Sequence, residues 1–133
     1  MNTLNGKKCL ITGASSGLGL ELTKLLIRQG AEVIMLCRNE SKGKKIVEEL
    51  LTENPHARLH LEVADFTSLE SVKRFTKDFK RKHQSLDMLI NNAALMKDKT
   101  TKTVDGFESM FQVNYLAPFV LTNSLQPLLE NGK

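Results

Sequence analysis

The sequence has few of the residues that mark disulfide-rich and metal-binding proteins. Its 133 residues include two cysteines and three histidines. Two cysteines are too few for the disulfide framework of a small secreted protein, and Cys9 and Cys37 lie in separate apolar segments, where buried, reduced thiols are expected. No histidine has a cysteine or acidic partner at metal-ligand spacing. The sequence therefore predicts no metal site, and we expect a cytoplasmic protein.

Long apolar runs and a large charge imbalance are also missing. No run approaches the ~20 apolar residues that a transmembrane helix needs, and the few residues before the first predicted strand leave no room for a signal peptide. The net charge is +4, from 19 basic and 15 acidic residues. The basic residues share helix-like stretches with acidic ones, so we interpret them as solvated helix faces. We expect neither nucleic acid nor a membrane as a partner.

The sequence does have apolar runs that alternate with stretches of helical periodicity. The second run, AEVIMLC, is apolar throughout, which is typical of a parallel strand covered on both faces. The last helical stretch is apolar around most of its circumference, which predicts burial on most sides. We therefore predict one α/β domain over residues 1–133, a Rossmann-like doubly wound parallel sheet with helices on both faces. The predicted strands are 7–12, 31–37, 57–63 and 86–90, and the predicted helices are 17–29, 41–53, 68–83 and 104–130.

A glycine-rich loop, ITGASSGLGLE, joins the first strand to the first helix. Its spacing is G-x-x-x-G-x-G and not the common G-x-G-x-x-G. The unpaired amides and the dipole of a helix N-terminus suit a pyrophosphate. Gly13 permits a tight turn, and Gly17 and Gly19 allow the phosphate and a neighbouring strand to approach closely. Ser15 and Ser16 add hydroxyl donors, so the loop predicts dinucleotide binding, with a simple tight turn as the alternative.

The residues after the second strand indicate which dinucleotide binds. An NAD-dependent enzyme has an acidic residue there to hold the ribose 2′-hydroxyl. This sequence has Arg38 followed by Asn39, and a guanidinium suits a 2′-phosphate. Ser15 is a second candidate donor. We therefore predict NADP(H) in preference to NAD(H), with Arg38 and Asn39 among the cofactor-binding residues; the alternative is an arginine that lies on the surface without a ligand.

Four motifs occur in the order seen in the short-chain dehydrogenase/reductase family, which the chain therefore resembles. They are TGASSGLG (12–19), ADF (64–66), NNAA (91–94) and FQVNYLAPF (111–119). The stretches LCRNESKGKK and TVDGFESMFQVNYLAPFVLTNSL are most similar to the retinol-dehydrogenase-like branch. The resemblance implies the strand order 3-2-1-4. It also implies that one group of residues lines the cofactor pyrophosphate and adenosine ribose: Gly13, Ser15, Ser16, Gly17, Leu18 and Gly19.

The resemblance gives roles to five further residues. It implies that Asp65 binds the adenine amino group with Phe66 beside it, and that Asn92 and Ala93 run along the cofactor. Asn114 matches the asparagine of the catalytic tetrad. Three alternatives stay open. Asp65 could open the turn before the third helix, Asn92 could be only a structural bridge, and Asn114 could be an amide satisfied by a neighbouring backbone.

The catalytic residues that follow in the family are not recognisable in this sequence. The family uses a serine and a Tyr-x-x-x-Lys pair, whereas the single tyrosine, Tyr115, has Phe119 four residues later. The resemblance therefore covers the N-terminal half, and we expect an incomplete domain with an exposed fourth strand. An NADP(H)-dependent oxidoreductase acting on a small apolar carbonyl or alcohol is the main hypothesis. An inactive NADP(H)-binding module or a non-functional fragment is the alternative, and the long last helix is a candidate homodimer interface.

Overall fold

The structure, a computed structural model, describes residues 3–133, so the first two residues of the predicted domain lie outside it. The elements are β1 (Lys8–Thr12), α1 (Gly17–Arg28), β2 (Glu32–Cys37), α2 (Glu40–Glu53), β3 (Arg58–Val63), α3 (Leu69–Lys82), β4 (Met88–Ile90), α4 (Ser109–Phe111), a π-helical turn (Gln112–Leu116) and α5 (Ala117–Glu130). The four strands form one parallel sheet in the order β3-β2-β1-β4. The predicted Rossmann-like fold and strand order are confirmed.

The two central strands are apolar on both faces because helices cover both faces of the sheet. In β1 and β2 every residue after the first is buried. Alternate residues therefore enter two separate cores. One core lies against α3 and α5 and includes Leu10, Ile34, Phe79, Leu121 and Leu125. The other lies against α1 and α2 and includes Cys9, Ile11, Val33, Met35 and Leu50. Both cysteines are free and buried.

The helix predicted over residues 104–130 is wrong at its start, because α4 begins at Ser109. Gly106 has a φ of +84°, which interrupts helical geometry. The side chain of Asp105 is used elsewhere, since it accepts a hydrogen bond from the backbone N–H of Leu69 at 2.8 Å. Asp105 thus ties this loop to the first turn of α3. Apolar periodicity in the sequence does not reveal such a tertiary contact.

The prediction that the last helix is buried on most sides is also wrong. Phe111, Tyr115 and Phe119 are 47%, 62% and 56% exposed, and Phe107 is 42% exposed. We call these four residues the aromatic stripe; successive ring centroids along it are 6.3, 5.6 and 6.4 Å apart. The opposite side of α5 is buried through Ala117, Leu121, Leu125 and Leu128. Among the described residues, no helix has the length and apolarity to cross a membrane.

Candidate functional site

A cleft of about 540 Å³ lies at the carboxyl ends of the strands, the position where open parallel sheets bind ligands. Its walls come from the loop after β1, the end of β2, the turn after β3 and the segment after β4. Gly17, Gly19 and Asn114 do not line it. The predicted residues that line the cleft are Gly13, Ser15, Ser16, Leu18, Arg38, Asn39, Asp65, Phe66, Asn92 and Ala93.

We call residues 13–19 the glycine loop. Its three glycines differ in backbone conformation and in the space around them. Gly13 and Gly17 have φ values of +63° and +55°, which favour glycine. A Cβ at Gly13 would lie 2.8 Å from the Cα of Ala93, and one at Gly19 would collide with the carbonyl oxygen of Gly13 and with Nδ2 of Asn92. A Cβ at Gly17 would have no heavy atom within 4 Å. Gly13 and Gly19 therefore serve internal packing, whereas Gly17 faces open space.

The first amides of α1 are available for a ligand. The side chain of Ser16, the N-cap, makes no capping hydrogen bond. Within residues 3–133, no backbone or side-chain oxygen accepts a hydrogen bond from the amides of Gly17, Leu18 or Gly19. Unpaired N–H groups at a helix N-terminus carry partial positive charge. The N-terminus of α1, whose Ser16 and Leu18 line the cleft, is therefore suited to an anion such as a diphosphate.

Asn92 joins β4 to the glycine loop. Its Nδ2 donates to the carbonyl oxygens of Thr12 and Gly13 at 3.2 and 3.1 Å. The hydroxyl oxygen of Thr12 accepts from the backbone amides of Asn92 and Ala93, both at 2.9 Å. The geometry thus includes the structural bridge that the sequence left open, at a residue that also lines the cleft. Thr12 was not among the predicted site residues, although a hydroxyl side chain at the end of a strand is a feature that could have indicated it.

Asp65 combines a local turn with a position in the cleft. Its Oδ1 accepts from the backbone amide and the hydroxyl of Thr67, at 2.9 and 2.7 Å. The same oxygen lies 3.7 Å from Nε of Arg38, and the two side chains are 41% and 69% exposed. An ion pair this exposed is weak and can be rearranged by a competing anion. Phe66 is buried, and its carbonyl accepts a hydrogen bond from the buried side chain of Gln112 at 3.0 Å.

The end of β2 adds a lysine that we did not predict. Oδ1 of Asn39 accepts from the backbone amide of Lys42 at 3.0 Å and so caps α2. Lys42 lines the cleft beside Arg38 and Asn39. Burial raises the pKa of the nearby Cys37 thiol, and a hydrogen bond with Ser15 acts in the opposite direction. Cys37 is thus a buried thiol in the cleft wall. Lys42 could have been predicted to lie near the cleft from its position one turn after the capping residue Asn39.

Asn114 lies in the π-helical turn and not in the cleft. Its Oδ1 accepts from the backbone amide of Leu95 at 2.7 Å, and its Nδ2 donates to the carbonyl oxygen of Leu95 at 2.9 Å. The amide is therefore satisfied by neighbouring backbone, as the sequence alternative described, although the residue is exposed. Pro118 cannot donate to the carbonyl of Asn114 four residues earlier, which is consistent with the irregular helix here.

The opposite end of the strands holds shifted titratable groups, among them His83 and Asp87. Burial and the Lys8 ammonium lower the pKa of His83, whose Nδ1 lies 3.1 Å from Nζ of Lys8. Hydrogen bonds from the backbone amides of Lys133 and Lys8 lower the pKa of Asp87. Across residues 3–133, no three histidine, cysteine, aspartate or glutamate side chains are grouped as metal ligands would be. His83 and Asp87 lie at the end of the sheet away from the cleft.

Comparison with known proteins connects this geometry to a family. A family model described as short chain dehydrogenase matches residues 7–133. The chain is 42% identical to the WW domain-containing oxidoreductase of Gallus gallus over 97% of its length, and 40% identical to retinol dehydrogenase 14 of Mus musculus, again over 97%. It covers only 31% and 42% of those relatives. A short chain dehydrogenase of Escherichia coli CFT073, complexed with NADPH, superposes with a TM-score of 0.82 at 30% identity, over 96% of this chain and 55% of that one.

Proposed function

Because this chain belongs to the short chain dehydrogenase family, we propose that it binds NADP(H) and forms the cofactor-binding domain of an oxidoreductase. The reaction we propose is hydride transfer between the cofactor and a carbonyl or alcohol group. The observation that carries the proposal is the glycine loop, whose Gly17–Gly19 amides have no acceptor within the described residues and which lies in one cleft with Arg38.

The described residues offer groups for the pyrophosphate and the adenine of the cofactor. The amides of Gly17, Leu18 and Gly19 would hold the pyrophosphate, and the open space at Gly17 admits it. The carboxylate of Asp65 would accept a hydrogen bond from the adenine amino group through Oδ2, which has no partner among residues 3–133. The nicotinamide, when bound, would supply the hydride to a carbonyl or accept it from an alcohol.

The preference for NADP(H) depends on the charge after β2. Arg38 takes the place that an acidic residue holds in NAD-dependent sites. A guanidinium favours a 2′-phosphate, whereas a carboxylate would repel it. The NADPH bound to the Escherichia coli relative is consistent with this preference.

An acid–base catalyst is not evident in these 133 residues. Tyr115 is 62% exposed on the aromatic stripe, outside the residues that line the cleft, and the residue four positions later is Phe119. The amide of Asn114 is engaged by Leu95. We therefore assign the chain the cofactor-holding part of the reaction, with a small apolar carbonyl or alcohol as the proposed substrate. The alternative is an NADP(H)-binding module without catalysis.

We also propose that the aromatic stripe forms a homodimer interface. In a twofold interface the same surface meets itself, so a charged stripe would repel its copy. Phe107, Phe111, Tyr115 and Phe119 carry no charge and are each more than 40% exposed. Analytical ultracentrifugation of Phe111→Ser with Phe119→Ser should give a monomer where the unaltered chain gives a dimer. A dimer that persists in this variant would contradict the interface.

The free, buried cysteines favour a reducing compartment, and we propose that the protein is located in the cytoplasm.

Titration of the chain with NADPH and NADH, followed by cofactor fluorescence, tests the proposed function. We expect saturable binding with NADPH preferred, and we expect Arg38→Asp to weaken NADPH binding by about 10–100-fold, the value of a lost charge-assisted contact. Arg28→Asp makes the same charge change at the end of α1, outside the cleft, and should leave the preference intact. An unchanged preference in Arg38→Asp would show that the assignment is wrong. Hydride transfer by the chain alone, measured by NADPH absorbance, distinguishes the enzyme from the inactive module.

A further inference from the structure

Gln112 is a polar side chain that the fold buries completely. It is the first residue of the π-helical turn, and its exposed fraction is 0%. Its Nε2 donates to the carbonyl oxygen of Phe66 at 3.0 Å and to Oδ2 of Asp105 at 2.9 Å. Its Oε1 accepts from the hydroxyl of Thr103. Both donors and the oxygen of the amide are therefore engaged, and the side chain is held in one orientation.

Asp105 extends this network to the start of α3. The oxygen that accepts from Gln112 also accepts, at 2.8 Å, from the backbone amide of Leu69, the first residue of α3. A carboxylate at a helix N-terminus also has a favourable interaction with the helix dipole. The turn between β3 and α3 is thus held at two points, the carbonyl of Phe66 and the amide of Leu69. Both contacts come from residues much later in the chain, by 46 and 36 positions.

The turn held in this way forms one wall of the cleft, because Asp65 and Phe66 both line it. Asp65 is tied into the same turn. Its backbone amide donates to Oγ of Ser71 at 2.9 Å, and its Oδ1 accepts from the backbone amide of Thr67 at 2.9 Å. The position of the Asp65 carboxylate therefore depends on the contacts that hold the turn from behind. A binding side chain meets its ligand accurately only when such supporting contacts fix it.

We propose that Gln112 is a positioning residue for the adenine-binding turn and that Asp105 acts with it. Neither side chain lines the cleft, so each acts through the backbone of the turn. The inference rests on the proposed NADP(H) binding and on the proposed contact of Asp65 with the adenine amino group. Without these supports the turn still forms, but the Asp65 carboxylate is no longer held in place. A hydrogen bond weakens steeply when its geometry is lost.

Two dinucleotides that differ at one position of the base test the proposal. Deamino-NADPH has a carbonyl oxygen where NADPH has the adenine amino group, so the ratio of the two affinities reports the contact with Asp65. In isothermal titration of the full chain we expect NADPH to be preferred about tenfold, the value of one hydrogen bond to a charged group. Gln112→Met keeps the length of the side chain but removes its amide. We expect this variant to reduce the preference to about twofold or less.

Asp105→Ala is the second variant, and it changes an exposed residue, so it does not disturb the core. It should reduce the preference in the same direction, whereas Asp105→Asn keeps an acceptor oxygen and should retain most of it. Thr76→Val is the matched control. Thr76 is 3% exposed, and its hydroxyl donates to the carbonyl oxygen of Lys73 at 2.9 Å, outside the cleft. This variant loses a buried hydrogen bond without touching the turn and should keep the full preference.

The possible outcomes separate this inference from the proposed function. If the unaltered chain prefers NADPH and Gln112→Met keeps that preference, the positioning role is wrong while the proposed function stands. Circular dichroism melts establish that each variant is folded, and if Gln112→Met is not, Asp105→Ala decides in the same way. An equal loss of preference in Thr76→Val also overturns the role. If the unaltered chain binds both dinucleotides equally, the role is overturned and NADP(H) binding stands; if it binds neither, both proposals are overturned.

Discussion

Replacing Gly19 with alanine adds a methyl group where the protein has no space for it. The new Cβ would collide with the carbonyl oxygen of Gly13 and with Nδ2 of Asn92. One of these atoms belongs to the backbone, so rotating a side chain cannot remove the collision. The Nδ2 atom also donates to the carbonyls of Thr12 and Gly13. Relief therefore requires the glycine loop and the segment after β4 to separate.

The expected cost follows from overpacking a well-packed contact, about 1–3 kcal/mol. For a chain of this length, each kcal/mol lowers Tm by roughly 4 °C. Thermal unfolding of Gly19→Ala followed by circular dichroism should therefore show a decrease of roughly 4–12 °C. NADPH binding should weaken in parallel, because the loop that carries the amides has moved.

Gly17→Ala is the matched control, because its Cβ would have no heavy atom within 4 Å. Its φ of +55° costs an alanine about 1 kcal/mol. This variant should melt within roughly 4 °C of the unaltered chain. It should nevertheless lose NADPH affinity, since the methyl group enters the space assigned to the pyrophosphate. If Gly19→Ala is as stable as the unaltered chain, or if Gly17→Ala binds NADPH normally, our assignment of roles in the loop is refuted.

Three further predictions concern single side chains. The pKa of His83 is lowered in the folded chain, so the unfolded chain binds a proton at this residue more readily. The free energy of unfolding should therefore decrease as the pH falls below 6.5. Urea unfolding at several pH values should show this decrease, and His83→Gln should remove the contribution of His83 to it. Asn92→Ala should lose about 1–3 kcal/mol in chemical denaturation, because two carbonyl oxygens lose their donor; an unchanged midpoint would contradict the bridge. Asn39→Ala should cost about 1 kcal/mol through loss of the α2 cap; an unchanged midpoint of chemical denaturation would contradict the capping role.

The sequence predicted the sheet because its signals are local. The apolar runs at 7–12 and 31–37 coincide with β1 and β2 to within one residue at each end. The start of the last helix could not be predicted in the same way. Val104 and Phe107 continue the apolar periodicity, yet the segment is held in a loop by the contact of Asp105 with Leu69 of α3, 36 residues earlier in the chain.

The site was predictable where chemistry follows directly from position at a strand end. Arg38 directly follows β2, and Asp65 is the second residue after β3. Both line the cleft. Thr12 and Lys42 were missed because their importance depends on which loops the fold brings together. The catalytic role of Asn114 stays a prediction; the sequence could not show that its amide pairs with the backbone of Leu95.

The central claim is that the first amides of α1 bind the cofactor diphosphate. Titration of the ¹⁵N-labelled chain with NADPH, followed by amide chemical shifts, tests it directly. The account predicts that the resonances of Gly17, Leu18 and Gly19 move most and saturate together with those of the Arg38 region. Saturable binding that leaves these three amides unmoved, or no binding at all, would contradict it.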